Sequence, residues 1–271
     1  MLGASATAAA QDDENTDPDR PDVTNTAHLI PPGQLQIEFG GIRTRETPNQ
    51  HIVGSPLTLR FGIGDWLEGR VGADNALIRL SGDAEASGVG NLQLGAKVRL
   101  WRERGGIPAI SLLPAVTLPT ANADKGLGSG ETDVSATLLL SKDLGRSWHV
   151  DGNYSLGSIG GGKGQPRYAQ HLLSVSVGAD VAHWNPYFEV FWLSRTEAAG
   201  APETSINSGV IYVVTSRFSL DGGIAFGIAG PAPEFAAFGG FSLRLGRKSQ
   251  GQSVSSSAGA SISRSRPFSR S

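Results

Sequence analysis

Apolar and polar residues alternate one by one through much of the chain. In the stretch 34–42, Leu35, Ile37 and Phe39 interleave with Gln34, Gln36 and Glu38. A pleated strand sends such alternating sets to opposite faces, one apolar and one polar. The same period of two recurs at 57–63, 92–100, 134–140, 148–156, 173–181, 188–192, 218–228 and 241–245. Three less regular segments, 67–73, 107–118 and 205–214, complete a set of about 12 strands. An even number of antiparallel strands is what a closed single-chain bacterial barrel uses.

The connections alternate in length. Short turns fall near 64–66, 102–106, 143–147, 182–185 and 215–217, and long ones near 44–54, 74–90, 119–131, 157–167 and 195–203, with a shorter one at 229–234. Short periplasmic turns and longer outer loops are the expected asymmetry of an outer-membrane barrel. The predicted fold is therefore all-β, an antiparallel up-and-down transmembrane β-barrel with disordered N- and C-terminal segments, both termini periplasmic. A soluble β-sandwich also has alternating strands, but it gives no reason for alternating loop lengths. Trp66, Trp101, Trp148 and Trp184 all lie at or beside the short turns. Tryptophan prefers the membrane interface, ring body in lipid and N–H in water, so these four predict an interface girdle. Two irregularities stand out: Pro114 in mid-strand removes a ladder hydrogen bond and predicts a bulge, and Leu139 and Phe238 point toward a polar interior.

Composition narrows the class further. The chain has 271 residues, 37 Gly, no Cys and a net charge of -2. Without Cys there is no disulfide framework and no thiolate metal site, and without a concentrated basic surface nucleic acid is not a partner. Frequent Gly argues against a helical protein. The opening residues 1–10, MLGASATAAA, read as the remnant of a signal peptide. The segment 11–33 begins acidic, with Asp12, Asp13, Glu14, Asp17, Asp19 and Asp22 against Arg20, and through Ala27 it is expected to be solvated. The barrel is expected over 34–246, followed by a disordered Ser/Arg-rich tail, 247–271.

On the polar parity of the strands fall Glu38, Arg60, Glu68, Arg70, Lys97, Arg99, Asp133, His149, Asp151, Asp180, Glu189, Asp221 and Arg244. These are the candidate lumen-lining residues, expected to pair across the barrel or to line a path, with Arg99 at a constriction. A barrel of this size is wider than one filled by side chains alone and narrower than the sixteen-stranded porins. Other candidate chemistry is weaker. GSIGGGKG, 157–164, nearly matches a phosphate-binding loop, but it joins two strands and has Gly164 where a hydroxyl is needed. His149 and Asp151 share a face and could form a proton-transfer pair or part of a metal site, yet no third ligand is near in sequence. None of the five His forms a recognisable Ser–His signature, so no catalytic residues, cofactor or metal are assigned.

With these residues in place, the chain resembles the outer-membrane transporter family of phenol degradation meta-pathway type β-barrels. The resemblance rests on TDPDRPDVTNTAHLIPPGQLQIEFG, on GVGNLQLGAKVRLW, and on LPAVTLPTA leading into a Gly-rich loop and G-E-T-D-V. It implies an outer-membrane barrel that moves small, often hydrophobic or aromatic, solutes; with the charged polar parity of the strands, the expected function is passive passage through the lumen of a barrel set in outer-membrane lipid by the barrel assembly machinery. A non-conducting structural or adhesion barrel, acting through its outer loops, is the alternative.

Overall fold

The computed structural model describes residues 16–21, 23–82, 85–162 and 164–246. Residues 1–10, expected to be a signal-peptide remnant, residues 11–15, the 247–271 tail, and Lys163 of the glycine-rich loop lie outside the described residues. One continuous antiparallel sheet holds every strand: β1 (Leu35–Thr47), β2 (Gln50–Gly54), β3 (Leu57–Gly64), β4 (Leu67–Ala73), β5 (Ile78–Ser81), β6 (Ala86–Gly88), β7 (Leu92–Trp101), β8 (Ala109–Leu118), β9 (Asp133–Asp143), β10 (Trp148–Ile159), β11 (Tyr168–Ala179), β12 (Trp184–Leu193), β13 (Glu203–Thr215), β14 (Phe218–Ala229) and β15 (Phe235–Leu245).

β15 pairs back onto β1 from Leu35↔Leu245 to Arg45↔Phe235, which closes the sheet. The wall so formed is a closed 12-strand barrel, and closure excludes the sandwich. Its twelve strands are the twelve segments the alternation predicts, and their connections alternate in length as expected. The remaining strands are additions the pattern did not show. β2, β5 and β6 lie in two of the long loops and extend the sheet beside the upper half of β1.

Pro114 is accommodated differently from expectation. The β7–β8 register runs from Gly95↔Ala115 to Val98↔Leu112 without a shift, and the intervening pairs are absent. The ladder is interrupted, not bulged; the register shift on that edge falls between Arg99 and Trp101. Pro114 keeps its place opposite Ala136 of β9.

The two faces of the wall differ as alternation requires. Outward positions are apolar and exposed, among them Phe39, Phe61, Val175, Phe188, Val190, Leu220 and Ile224. Inward positions hold the buried polar groups Gln36, Glu38, Arg60, Glu68, Lys97, Ser111, Ser174 and Glu189. An apolar band outside a closed barrel, with every strand paired, is the arrangement in which a sheet can span a bilayer, since hydrocarbon offers no partner for an unpaired backbone group. No described helix is long and apolar enough to cross a membrane. Trp66, Trp101, Trp148 and Trp184 stand at the short-turn end, each at least half exposed.

Candidate functional site: a segment seated in the lumen

The described residues of the segment 16–33 lie inside the barrel, except at its end, where Pro32 and Gly33 are exposed. The expectation that the acidic segment through Ala27 is solvated fails for its described part, because Thr16, Asp19, Thr24 and Ala27 are buried. The segment has no regular secondary structure, so its backbone groups need partners elsewhere. The wall supplies them. The N–H of Asp19 donates to Glu38 Oε1 (3.3 Å), that of Thr24 to Glu189 Oε1 (2.6 Å), and that of Ile30 to Glu68 Oε2 (2.8 Å). Ala27 donates to Ser141 Oγ (2.7 Å) and accepts from Ser111 Oγ (2.6 Å). Asn25 and Asn153 exchange two bonds, 2.7 and 2.8 Å.

The charges explain why an acidic segment enters a lumen that already holds carboxylates. Arg60 binds Glu68 through Nε (2.8 Å) and Nη2 (3.1 Å) and reaches Glu38 at 3.0 Å. Asp19 then takes Arg70 at 2.6 Å, Lys97 at 3.0 Å and Arg60 at 3.5 Å. Three carboxylates (Asp19, Glu38, Glu68) thus meet three cations (Arg60, Arg70, Lys97); without Asp19 the wall has two against three. Burial alone would raise the Asp19 carboxyl, but Arg60, Lys97 and Arg70 outweigh it and hold it well below the usual range. A second anchor is Arg20, which reaches Asp221 of β14 at 3.0 Å.

Two features of the wall make room for the segment. A Cβ on Gly40 would sit 2.2 Å from an Arg20 nitrogen, and one on Gly62 would sit 2.0 Å from the carbonyl oxygen of Pro31. The inward Leu139, fully buried, packs with Ala27 and Ala109 in a small apolar cluster, with Leu113 against it. Its inward position is thus explained by the segment it touches. Phe238 also lies inside, its ring close over Gly223.

The other predicted lumen residues distribute along the barrel axis. Asp151 bonds Ser141 at the level of Ala27. Arg244 donates to Gln36 Oε1 (3.0 Å), and Gln36 to Glu38 (2.8 Å), linking the base of the lumen to the charge cluster. His149 lies with its ring against Gly178. Arg99 sits at the short-turn rim, donating to the Asp65 carbonyl (2.6 Å), and so does not form a mid-barrel constriction. Asp180 is a correction: it follows the end of β11, is exposed, and accepts from Asn185 within the turn, because the strand stops before its inward parity takes effect. Asp133 belongs to the opposite end, where it accepts from the Gly160 N–H at 2.7 Å.

A family model described as "Putative MetA-pathway of phenol degradation" matches residues 18–245, a span that holds most of the seated segment and the wall. The chain belongs to this family. Among solved structures, an outer-membrane channel from Pseudomonas putida F1 has the same fold, with a TM-score of 0.64 at 17% identity, covering 85% of this chain and 100% of that one. The translocator domain of the autotransporter NalP from Neisseria meningitidis has a TM-score of 0.46 at 10% identity, covering 79% of this chain and 88% of that one. No curated protein sequence matches. For this phenol-degradation family member, the segment carrying the D-R-P-D motif is the part that the polar lumen is built around. The segment itself shows no strand alternation; the usable signals were on the wall, in the inward Leu139 and the excess of lumenal cations around Arg60, Arg70 and Lys97.

Proposed function

We propose that this protein is an outer-membrane channel for small solutes, in which the lumen is the path and residues 16–33 are the barrier across it. The observation that carries the reading is how the barrier is held. It is a separate stretch of chain bound by hydrogen bonds and ion pairs, so it can move without breaking a strand ladder. A barrel meant only as a scaffold would need no removable filling, since a narrower one is closed by its own side chains. The outward apolar face contacts outer-membrane lipid, the four tryptophans form the periplasmic girdle, and the barrel assembly machinery inserts the chain. The predicted polar set, Asp180 excepted, lines the route or binds the barrier, and passage is non-enzymatic.

The test is solute uptake and single-channel conductance of the full chain in lipid vesicles and planar bilayers, with Asp19→Asn beside it. The channel reading expects low, intermittent conductance that rises in Asp19→Asn. A chain that stays silent in both forms, while folding normally, is the non-conducting structural or adhesion barrel instead.

A further inference from the structure

Above the seated segment, toward the long loops, the lumen opens into a cavity of about 220 Å³. At about 30 Å³ per water it has room for a molecule the size of roughly seven waters. Its lining begins on β10 at Ser155, two residues beyond Asn153, which holds Asn25. The chamber therefore lies on the long-loop side of the segment.

The chemistry of this chamber is one-sided. Gln93, Thr117, Ser155 and Gln170 bring amide and hydroxyl groups, and Asp74 and Asp133 bring carboxylates; Ile159 and Leu172 are its larger apolar side chains. Among the described residues the lining contains no Lys or Arg. Asp133 has Arg167 at 3.9 Å, whereas among the described residues no cation lies within ion-pair distance of Asp74. Partial desolvation and the neighbouring Asp133 charge push the Asp74 carboxyl up, as befits a carboxylate short of positive partners. Aromatic solutes are bound by apolar and aromatic walls, and this lining has no aromatic ring.

We infer that the chamber is a binding site for a small polyhydroxy or amino solute, neutral or cationic, and that it selects against anions such as aromatic carboxylates. The hydroxyl and amide groups exchange hydrogen bonds with the solute's own hydroxyls, and Asp74 attracts an ammonium group. The inference deepens the channel reading, and only its flux arm rests on that reading.

The experiment compares three probes of equal size, glucosamine, glucose and gluconate, at pH 6. Binding to the full chain in detergent is followed by saturation-transfer NMR, and flux by uptake into vesicles containing the same protein. Glucosamine should bind best and gluconate least. Asp74→Asn should cut the preference for glucosamine over glucose by about 2- to 5-fold, and Gln93→Leu should weaken glucosamine and glucose alike. Heat-modifiable gel migration checks that each variant is folded. Binding in this order without flux supports the site and overturns the channel reading. Flux with no binding, with gluconate preferred, or with an order unmoved by Asp74→Asn overturns the site and leaves the channel. Neither binding nor flux overturns both.

Discussion

Asp19, in the segment that fills the lumen, and Lys97, in the middle of β7, face each other at 3.0 Å with both side chains sealed from solvent. The two residues are 78 positions apart. Their contact joins the barrier to the wall, and a one-atom change at Asp19 tests it. Asp19→Asn leaves three cations against two carboxylates, and breaking a buried pair this way costs on the order of 3–5 kcal/mol. The strand ladders do not depend on it, so the barrel should fold while the segment loosens. The expected result is higher conductance with a reversal potential shifted toward anions, since the exposed excess charge is positive. Unchanged ion preference would refute this assignment of the charges.

Gly62 probes the seat from the wall side. The atoms a Cβ would strike there are all backbone of the segment, at Ile30 and Pro31. Gly62→Ala should therefore displace the segment where it enters the barrel. Proteolysis of folded protein should cut near residue 31 faster than in the parent, with strand content by circular dichroism unchanged.

Leu139 and Leu140 are neighbours with opposite surroundings, one fully buried against Ala27 and one facing outward and partly exposed. Leu139→Ala removes packing that serves the segment, at about 2–5 kcal/mol. The loss should appear as faster exchange of the Ala27 amide in hydrogen-exchange measurements. Leu140→Ala should leave that amide as protected as before.

The segment also carries an internal clip, His28 Nδ1 with Asp17 at 3.2 Å. Partial desolvation opposes charge on His28, whose side chain stays 42% exposed, but the hydrogen bond and charge of Asp17, helped by Asp151, raise its pKa to about 9. Desolvation likewise opposes charge on Asp17, and its bond to His28 prevails, lowering it to about 2. The sign follows from linkage. The His28 contribution is full below its ordinary 6.5 and fades as pH rises through about 9, whereas that of Asp17 is full above 3.8 and fades as pH falls through about 2. Protection of the segment from protease should hold at pH 5 to 6 and decline from pH 7 to 10. In His28→Gln that alkaline decline should vanish; its persistence would assign the pH dependence elsewhere.

Val175 lies near the middle of β11 with its side chain outward and about half exposed, at 53%. Val175→Arg places a charge against hydrocarbon, a cost of about 2–4 kcal/mol at the bilayer midplane. Insertion into vesicles should drop sharply. Ser176→Asn, on the lumen side of the same strand, should insert normally; equal insertion of both would contradict the membrane orientation of the wall.

The sequence by itself determined the wall. A period of two, repeated in twelve segments with alternating connections, is a local property of each strand, and closure follows from pairing every edge. It also placed Glu38, Arg60, Glu68, Lys97 and Glu189 on the inner face, because parity depends only on position within a strand. Parity has no meaning past a strand end, which is why it fails at Asp180, and it cannot show a ladder interrupted with its register kept, as at Pro114. The tertiary structure alone decided where the acidic segment goes. Composition favours water for such a stretch, but an excess cation among Arg60, Arg70 and Lys97, space beside Gly40 and Gly62, and wall acceptors for its backbone N–H groups make the lumen the better solvent. That balance exists only once strands far apart in the chain close around one bore.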